Sequence, residues 1–294
     1  MPKLIQAARG HPRRWGALLV LGALALVLAS SVISTGGVRA QPDAPPSQQP
    51  PPPDIAPAGL TPFQTFSSNV DGGTRVVVSM HGNVVEFNSP NTTGGLDLEH
   101  IAAGETLEGY NVCYTSPSGY MIAYDIGTFE SGFGAATNLT NPVRVNRATS
   151  DGILQLNQTF TFNGQNKTLT IKMVLKNTSG APLSGFYLRR IADFDVDGAG
   201  PTGTGDFRNY HDSSRDSAFA WTATNTDAMA LRHLTQANGV THWAGVTTFI
   251  GATNCITFDE GGPISGDYTD SLFYSIPTLP AGASKTINIQ YLRY

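Results

Sequence analysis

The residues Asp193-Phe194-Asp195-Val196-Asp197-Gly198 are the sharpest chemical feature of the chain. Side chains alternate along a strand, so Asp193, Asp195 and Asp197 would project together while Phe194 and Val196 turn to a core. Three carboxylates on one face repel each other, and a hard cation with oxygen ligands relieves that repulsion. The D-x-D-x-D-G spacing also opens calcium loops, where the glycine permits a sharp turn. Such a loop carries Glu at its twelfth position. Here that position is Thr204, so Asp206 and Asp212 are the expected additional ligands. Calcium is the expected cofactor. The competing expectation is a solvent-facing strand edge paired with Arg189, Arg190 or Arg208.

Aromatic residues are the second signal. Trp221 and Trp243, with Tyr210, Tyr268 and Tyr274, would make a sugar-stacking platform if exposed, because pyranose C–H faces pack on aromatic rings. Both tryptophans lie in strand-like runs, Phe219-Ala220-Trp221 and Trp243-Ala244-Gly245-Val246, where burial is the usual outcome.

Other motifs carry less. Gly198-Ala199-Gly200-Pro201-Thr202-Gly203 matches G-x-G-x-x-G, but no helical period follows to offer its amides to a pyrophosphate. His81, His100, His211, His233 and His242 are scattered without zinc spacing, and His81 and His100 read as surface or turn residues. Neither G-x-S-x-G nor S-x-x-K occurs, which removes local support for a serine hydrolase. Carboxylate pairs for glycoside hydrolysis are set by distance in space, which spacing does not reveal.

The elements that must position these residues are strands. Beyond residue 62, two-residue alternation recurs between Gly, Asn, Ser and Pro, and no helical period appears. Val76, Val78 and Met80 share one face, and His81-Gly82-Asn83 turns the chain into Val84-Val85-Glu86-Phe87. The clearest hairpin covers 153–176. Leu154, Leu156, Phe160 and Phe162 share a face, Asn163-Gly164 supplies a two-residue turn, and Leu169, Ile171, Met173 and Leu175 alternate back. The chain therefore reads as all-β: one large antiparallel two-layer β-sandwich over 62–294, of immunoglobulin-like or super-sandwich type. Lys176-Asn177-Thr178-Ser179-Gly180-Ala181-Pro182-Leu183 resembles the post-strand turn of secreted bacterial immunoglobulin-like modules. Leu279 to Lys285, before Thr286 to Tyr294, resembles their closing strand. This resemblance implies architecture and carries no active site.

Cys113 and Cys255 are the only cysteines. In an oxidising compartment an even pair reads as one disulfide. Tyr110, Val112 and Tyr114 alternate away from Cys113, as Ile256 and Phe258 do from Cys255, so both thiols would occupy comparable faces of strands.

Lys3, Arg9, Arg13 and Arg14 precede the apolar run Gly16 to Ile33, and Val38-Arg39-Ala40 offers small residues where a signal peptidase reads. Residues 1–40 are the expected signal peptide or, if uncleaved, a membrane anchor, and both outcomes put the rest outside. Residues 41–61 are proline-rich and read as an extended spacer. Thirteen Lys and Arg against twenty-two carboxylates leave residues 41–294 near −9, which argues against nucleic acid or anionic membrane as a partner. The expectation is an extracellular, secreted or surface-anchored module, structural or ligand-binding, with glycan or protein as the ligand. The alternative is a carbohydrate-active enzyme of aldose-epimerase-like or lyase-like sandwich type.

Overall fold

The computed structural model describes residues 59–69, 73–89, 98–101, 107–196, 209–222, 227–234, 238–248, 253–257, 259–266 and 268–294. The expected signal peptide and most of the spacer lie outside them. Within them the chain forms nineteen strands and no helix. The first seven are β1 (Pro62–Ser68), β2 (Thr74–Ser79), β3 (Val84–Ser89), β4 (Leu98–Glu99), β5 (Glu108–Ser116), β6 (Gly119–Ile126) and β7 (Phe129–Ser131). Next come β8 (Thr137–Thr140), β9 (Val143–Ala148), β10 (Leu154–Asn163), β11 (Thr168–Asn177), β12 (Leu183–Asp193) and β13 (Tyr210–Ser213). The last are β14 (Ser217–Trp221), β15 (Ala228–His233), β16 (Thr241–Thr247), β17 (Ile264–Ser265), β18 (Thr269–Leu279) and β19 (Ser284–Arg293).

Two antiparallel sheets form the sandwich. One has nine strands in the order β17-β13-β14-β15-β19-β11-β10-β9-β8, and the other has six, β16-β18-β12-β5-β6-β7. A smaller sheet, β1-β2-β3-β4, sends Val76, Val78, Val84 and Phe87 into the same core. The alternating strands supply that core: Leu154, Leu156, Leu169, Ile171, Met173 and Leu175 from the hairpin meet Val112, Tyr114, Phe186, Leu188 and Tyr274 from the facing sheet. Each large side chain removed from water contributes roughly 1.5–3 kcal/mol.

The hairpin strands pair in the expected register, Leu154 opposite Asn177 through Asn163 opposite Thr168. Their turn differs from the expected two-residue form. It spans four residues, its positive φ (50°) falls on Lys167, and Asn163 Oδ1 accepts the backbone N–H groups of Gln165 (3.1 Å) and Asn166 (3.2 Å). Gly164 is there for space instead: a Cβ would lie 2.3 Å from Ser68 of β1. In the next connection, Asn177 Nδ2 reaches the carbonyls of Ala181 (2.8 Å) and Leu279 (3.0 Å), and its Oδ1 accepts from the Ser179 N–H (2.9 Å). One buried amide thus ties the β11–β12 turn to the end of β18.

Cys113 and Cys255 form the expected disulfide. Cys113 sits on β5 facing away from the core, as the alternation of Tyr110, Val112 and Tyr114 requires. Cys255 is in a loop rather than a strand, and the bridge holds that loop against the outer face of the six-stranded sheet. There the Asn254 carbonyl accepts from Asn111 Nδ2 and Arg189 Nη1, each at 3.1 Å.

Candidate functional site

The aromatic site is built by an inversion of side-chain size across two neighbouring strands. On β14, Ala218 and Ala220 point into the core and Phe219 and Trp221 point out. On β15 the arrangement reverses: Met229 and Leu231 fill the core, and Ala228 and the nearly covered Ala230 lie on the other face of the sheet, beside the rings. Register then sets Trp221 beside Ala228 and Phe219 beside Ala230, so each outward ring has a small neighbour and a bare flank. On its other side, Trp221 pairs with Tyr210 of β13, and the two rings stack with centroids 5.7 Å apart and planes 20° from parallel. Phe219 packs on Trp221 at 5.5 Å.

These residues wall an open groove of about 350 Å³, lined by Ser217, Phe219, Trp221, Ala228, Ala230 and Tyr294. That volume is at the lower end of ligand clefts, and its apolar, aromatic lining with two hydroxyls is of the kind they use. Tyr210 is 37% and Tyr294 63% exposed. Two of the five expected platform residues, Tyr210 and Trp221, therefore come together. Trp243 does not. It stacks on Phe273 at 5.2 Å on the outer face of the other sheet. Tyr274 is a core residue, and Tyr268 stands edge-on to His211. Phe219, Tyr294 and the alanine floor were not anticipated, although the Ala-x-Ala pattern between outward residues in Ser217-Ala218-Phe219-Ala220-Trp221 is the signal for them.

The aspartate motif lies only partly within the described residues, which exclude Asp197 and Asp206. Phe194 and Val196 are buried, as the alternation predicts. Asp193 and Asp195 are buried too rather than lying on a wet face, because the chain continues under a neighbouring segment: Asp193 N–H donates to Leu107 O and Asp195 N–H to His100 O, each at 3.0 Å. Asp212 lies on β13, where its Oδ1 caps the Ser213 N–H at 2.7 Å. Among the described residues, Asp193, Asp195 and Asp212 do not join a group of three converging His, Cys, Asp or Glu donors. Arg189 and Arg190, expected to pair with the motif, are buried elsewhere: Arg189 Nη2 donates to Thr247 Oγ1 at 2.7 Å, and Arg190 forms an ion pair with Glu108.

The described donors that do converge are His81, Asp125 and Glu130. His81 is in a turn, as expected, but is buried, and its Nδ1 lies 2.7 Å from Asp125 Oδ2 and 3.4 Å from Glu130 Oε2. Arg147 forms ion pairs with both carboxylates, and Asn83 Nδ2 donates to Asp125 Oδ1 at 2.9 Å. A guanidinium already supplies the positive charge a cation would bring. The network continues inward: Asn83 Nδ2 donates to Glu108 O at 3.0 Å, Glu108 pairs with Arg190, and Tyr291 donates to Glu108. Burial pushes the Glu108 carboxyl up, while Arg190 and Tyr291 act against that push. This is a polar spine fastening the sheets together. Its members come from β5, β6, β7, β9, β12, β19 and the β2–β3 turn, so no local motif announces it.

His100 is also fully buried, contrary to expectation, and burial followed by the charge of Arg293 holds its pKa down at about 3. His233 and His242 stack 3.5 Å apart, with His242 Nε2 2.7 Å from Asp216 Oδ1. Near-parallel rings (16°) direct their nitrogen lone pairs side by side rather than at one point, which is the wrong arrangement for a shared metal.

No family model matches the sequence, and no curated protein matches it. Among solved structures the chain is similar to a bacterial glucoamylase complexed with acarbose, with TM-score 0.50 and 9% identity over 81% of this chain and 33% of that one. It is also similar to a polysaccharide lyase, with TM-score 0.46 and 10% identity over the same shares. The chain thus spans a third of the length of each. The likeness to the glucoamylase is one of fold, and the fold it shares is the antiparallel β-sandwich.

Proposed function

We propose that this protein is an extracellular, secreted or surface-anchored, non-catalytic β-sandwich module that binds carbohydrate in the groove beside Trp221. The observation that carries this reading is the stacked Tyr210–Trp221 pair on an outer sheet face, next to a floor of alanines. Exposed aromatic faces offer large apolar area at little entropic cost, and sugar C–H faces fit them. The glucoamylase in the comparison was solved with acarbose, but the likeness of fold supports only the sandwich setting. Its enzymatic alternative needs an acid and a base at the bound sugar, whereas no described side chain lining the groove is a carboxylate or a histidine.

Calorimetric titration of the full chain with a panel of soluble polysaccharides tests the reading. Saturable binding is expected for at least one polymer, weakened tenfold or more by Trp221→Ala, a loss of about 1.4 kcal/mol or more. Turnover of the polymer would overturn the non-catalytic reading, and undiminished binding by Trp221→Ala would overturn the site.

We also propose calcium binding by Asp193 and Asp195 with Asp197, Asp206 and Asp212. A cation that binds only the folded state stabilises it by mass action, about 2.7 kcal/mol at a hundredfold excess over Kd. Melting temperature should therefore rise in calcium and fall in chelator, and Asp195→Asn should remove the difference. Equal melting temperatures in calcium and chelator would reject the site.

A further inference from the structure

We infer that the groove selects an uncharged glycan chain and rejects polyuronates and other acidic polysaccharides, an inference that rests on the carbohydrate-binding reading above. None of the described side chains lining the groove carries a charge; their polar groups are the hydroxyls of Ser217 and Tyr294. Recognition of a carboxylate-bearing polymer relies on charge-assisted hydrogen bonds, above all from the forked guanidinium of Arg. On the groove's own face the cation nearest in register is Arg232, opposite Ser217 at the groove's end; Arg293, opposite Met229, lies on the other face. The Arg232 guanidinium is committed elsewhere: Nε and Nη2 both donate to Gln290 Oε1, with Nε at 2.8 Å, and Gln290 Nε2 donates onward to Thr170 Oγ1 at 3.0 Å.

The wider field acts in the same direction. Residues 41–294 carry a formal charge near −9, so a polyanion approaches against repulsion at low salt. The uncharged lining and the acidic body thus both favour a neutral occupant. Nor does the groove invite a charged group to be buried, since an ion there would lose water without gaining a partner.

The floor gives the test a specific handle. Ala230 is the cross-strand neighbour of Phe219, so a large side chain at that position fills the groove from below while the core residues Met229 and Leu231 stay in place. The experiment is affinity electrophoresis of the full chain in gels holding a neutral polymer (soluble starch, xylan or glucomannan) or a polyuronate (polygalacturonate or alginate), at 20 mM and 300 mM salt. The expected result is retardation by at least one neutral polymer, with apparent affinity for the polyuronates at least tenfold weaker at 20 mM salt. Ala230→Trp should abolish retardation in protein whose circular dichroism still reports the folded sandwich. Should that variant fail to fold, Trp221→Ala supplies the same reading from the wall of the groove. Polyuronate binding equal to or tighter than neutral binding would overturn the inference while leaving the glycan-binding reading standing. Retardation by none of the polymers would overturn both.

Discussion

Trp221 illustrates how a single residue's placement follows from its neighbours. Ala218 and Ala220 take the core positions of β14, which leaves the bulky residues of that strand on the outside. The general tendency of tryptophan to be buried is outweighed by register, and Trp221 ends half-buried, stacked on Tyr210 rather than enclosed. His100 shows the opposite outcome. Beside Glu99 it reads as a surface residue, yet the chain folds it against the segment that follows β12, where Asp195 donates its N–H to the His100 carbonyl. Burial and Arg293 keep its ring neutral down to about pH 3, whereas an unfolded histidine titrates near 6.5. As pH falls from 6.5 towards 3, the unfolded chain takes up a proton that the folded one refuses. The stability this provides is complete above 6.5 and drains away below it. His233, held at about 4 by burial and the charge of His242, acts with the same sign between 6.5 and 4. Urea unfolding at pH 7, 5.5 and 4 should show a falling midpoint, and His100→Gln should flatten the slope by up to one proton, about 1.4 kcal/mol per pH unit. A slope unchanged in the variant would contradict a neutral, buried His100.

At the scale of elements, what was legible in the sequence was local. Period-two alternation gave β10 and β11, where one face is buried more deeply than the other, and the inward faces of β5 and β2, whose outer faces are largely covered as well. The turn of the β10–β11 hairpin was misread because Asn163-Gly164 fits a two-residue turn. The chain uses Asn163 to cap a longer loop and Gly164 to let β1 approach. The polar spine was not legible at all. Asp125 and Glu130 face each other on the β6–β7 hairpin, but His81 and Arg147 come from other segments and reach them only once the sheets have closed. The Asn177 turn lies between these cases: the Asn-Thr-Ser-Gly run reads as a turn, but its reach to β18 does not. Asn177→Ala would leave the Leu279 and Ala181 carbonyls without this donor in a buried setting. The expected cost is about 2–3 kcal/mol of unfolding free energy, since each buried group left unpaired costs about 1–3 kcal/mol. Chemical denaturation measures it, and a loss below about 0.5 kcal/mol would show that the turn does not depend on the amide.

For the whole molecule, the disulfide and the spine act on different states. The bridge joins residues 142 apart in sequence and restricts the unfolded chain, an effect of about 4–5 kcal/mol in the chain-entropy model. The spine instead fastens the two sheets of the folded state through Glu108, Arg190 and Tyr291. A rigid sandwich held in both ways can present a binding face on strands rather than loops, which fixes the spacing of the rings. Tyr210, Trp221 and Phe219 sit on consecutive paired strands, so the groove exists before any ligand arrives. The most direct measurement is tryptophan fluorescence during titration with a polysaccharide that binds, comparing Trp243→Phe with Trp221→Phe. The account predicts a saturable spectral change that survives in Trp243→Phe and disappears in Trp221→Phe. A change that survives in Trp221→Phe and disappears in Trp243→Phe would contradict it and move the site to the opposite sheet.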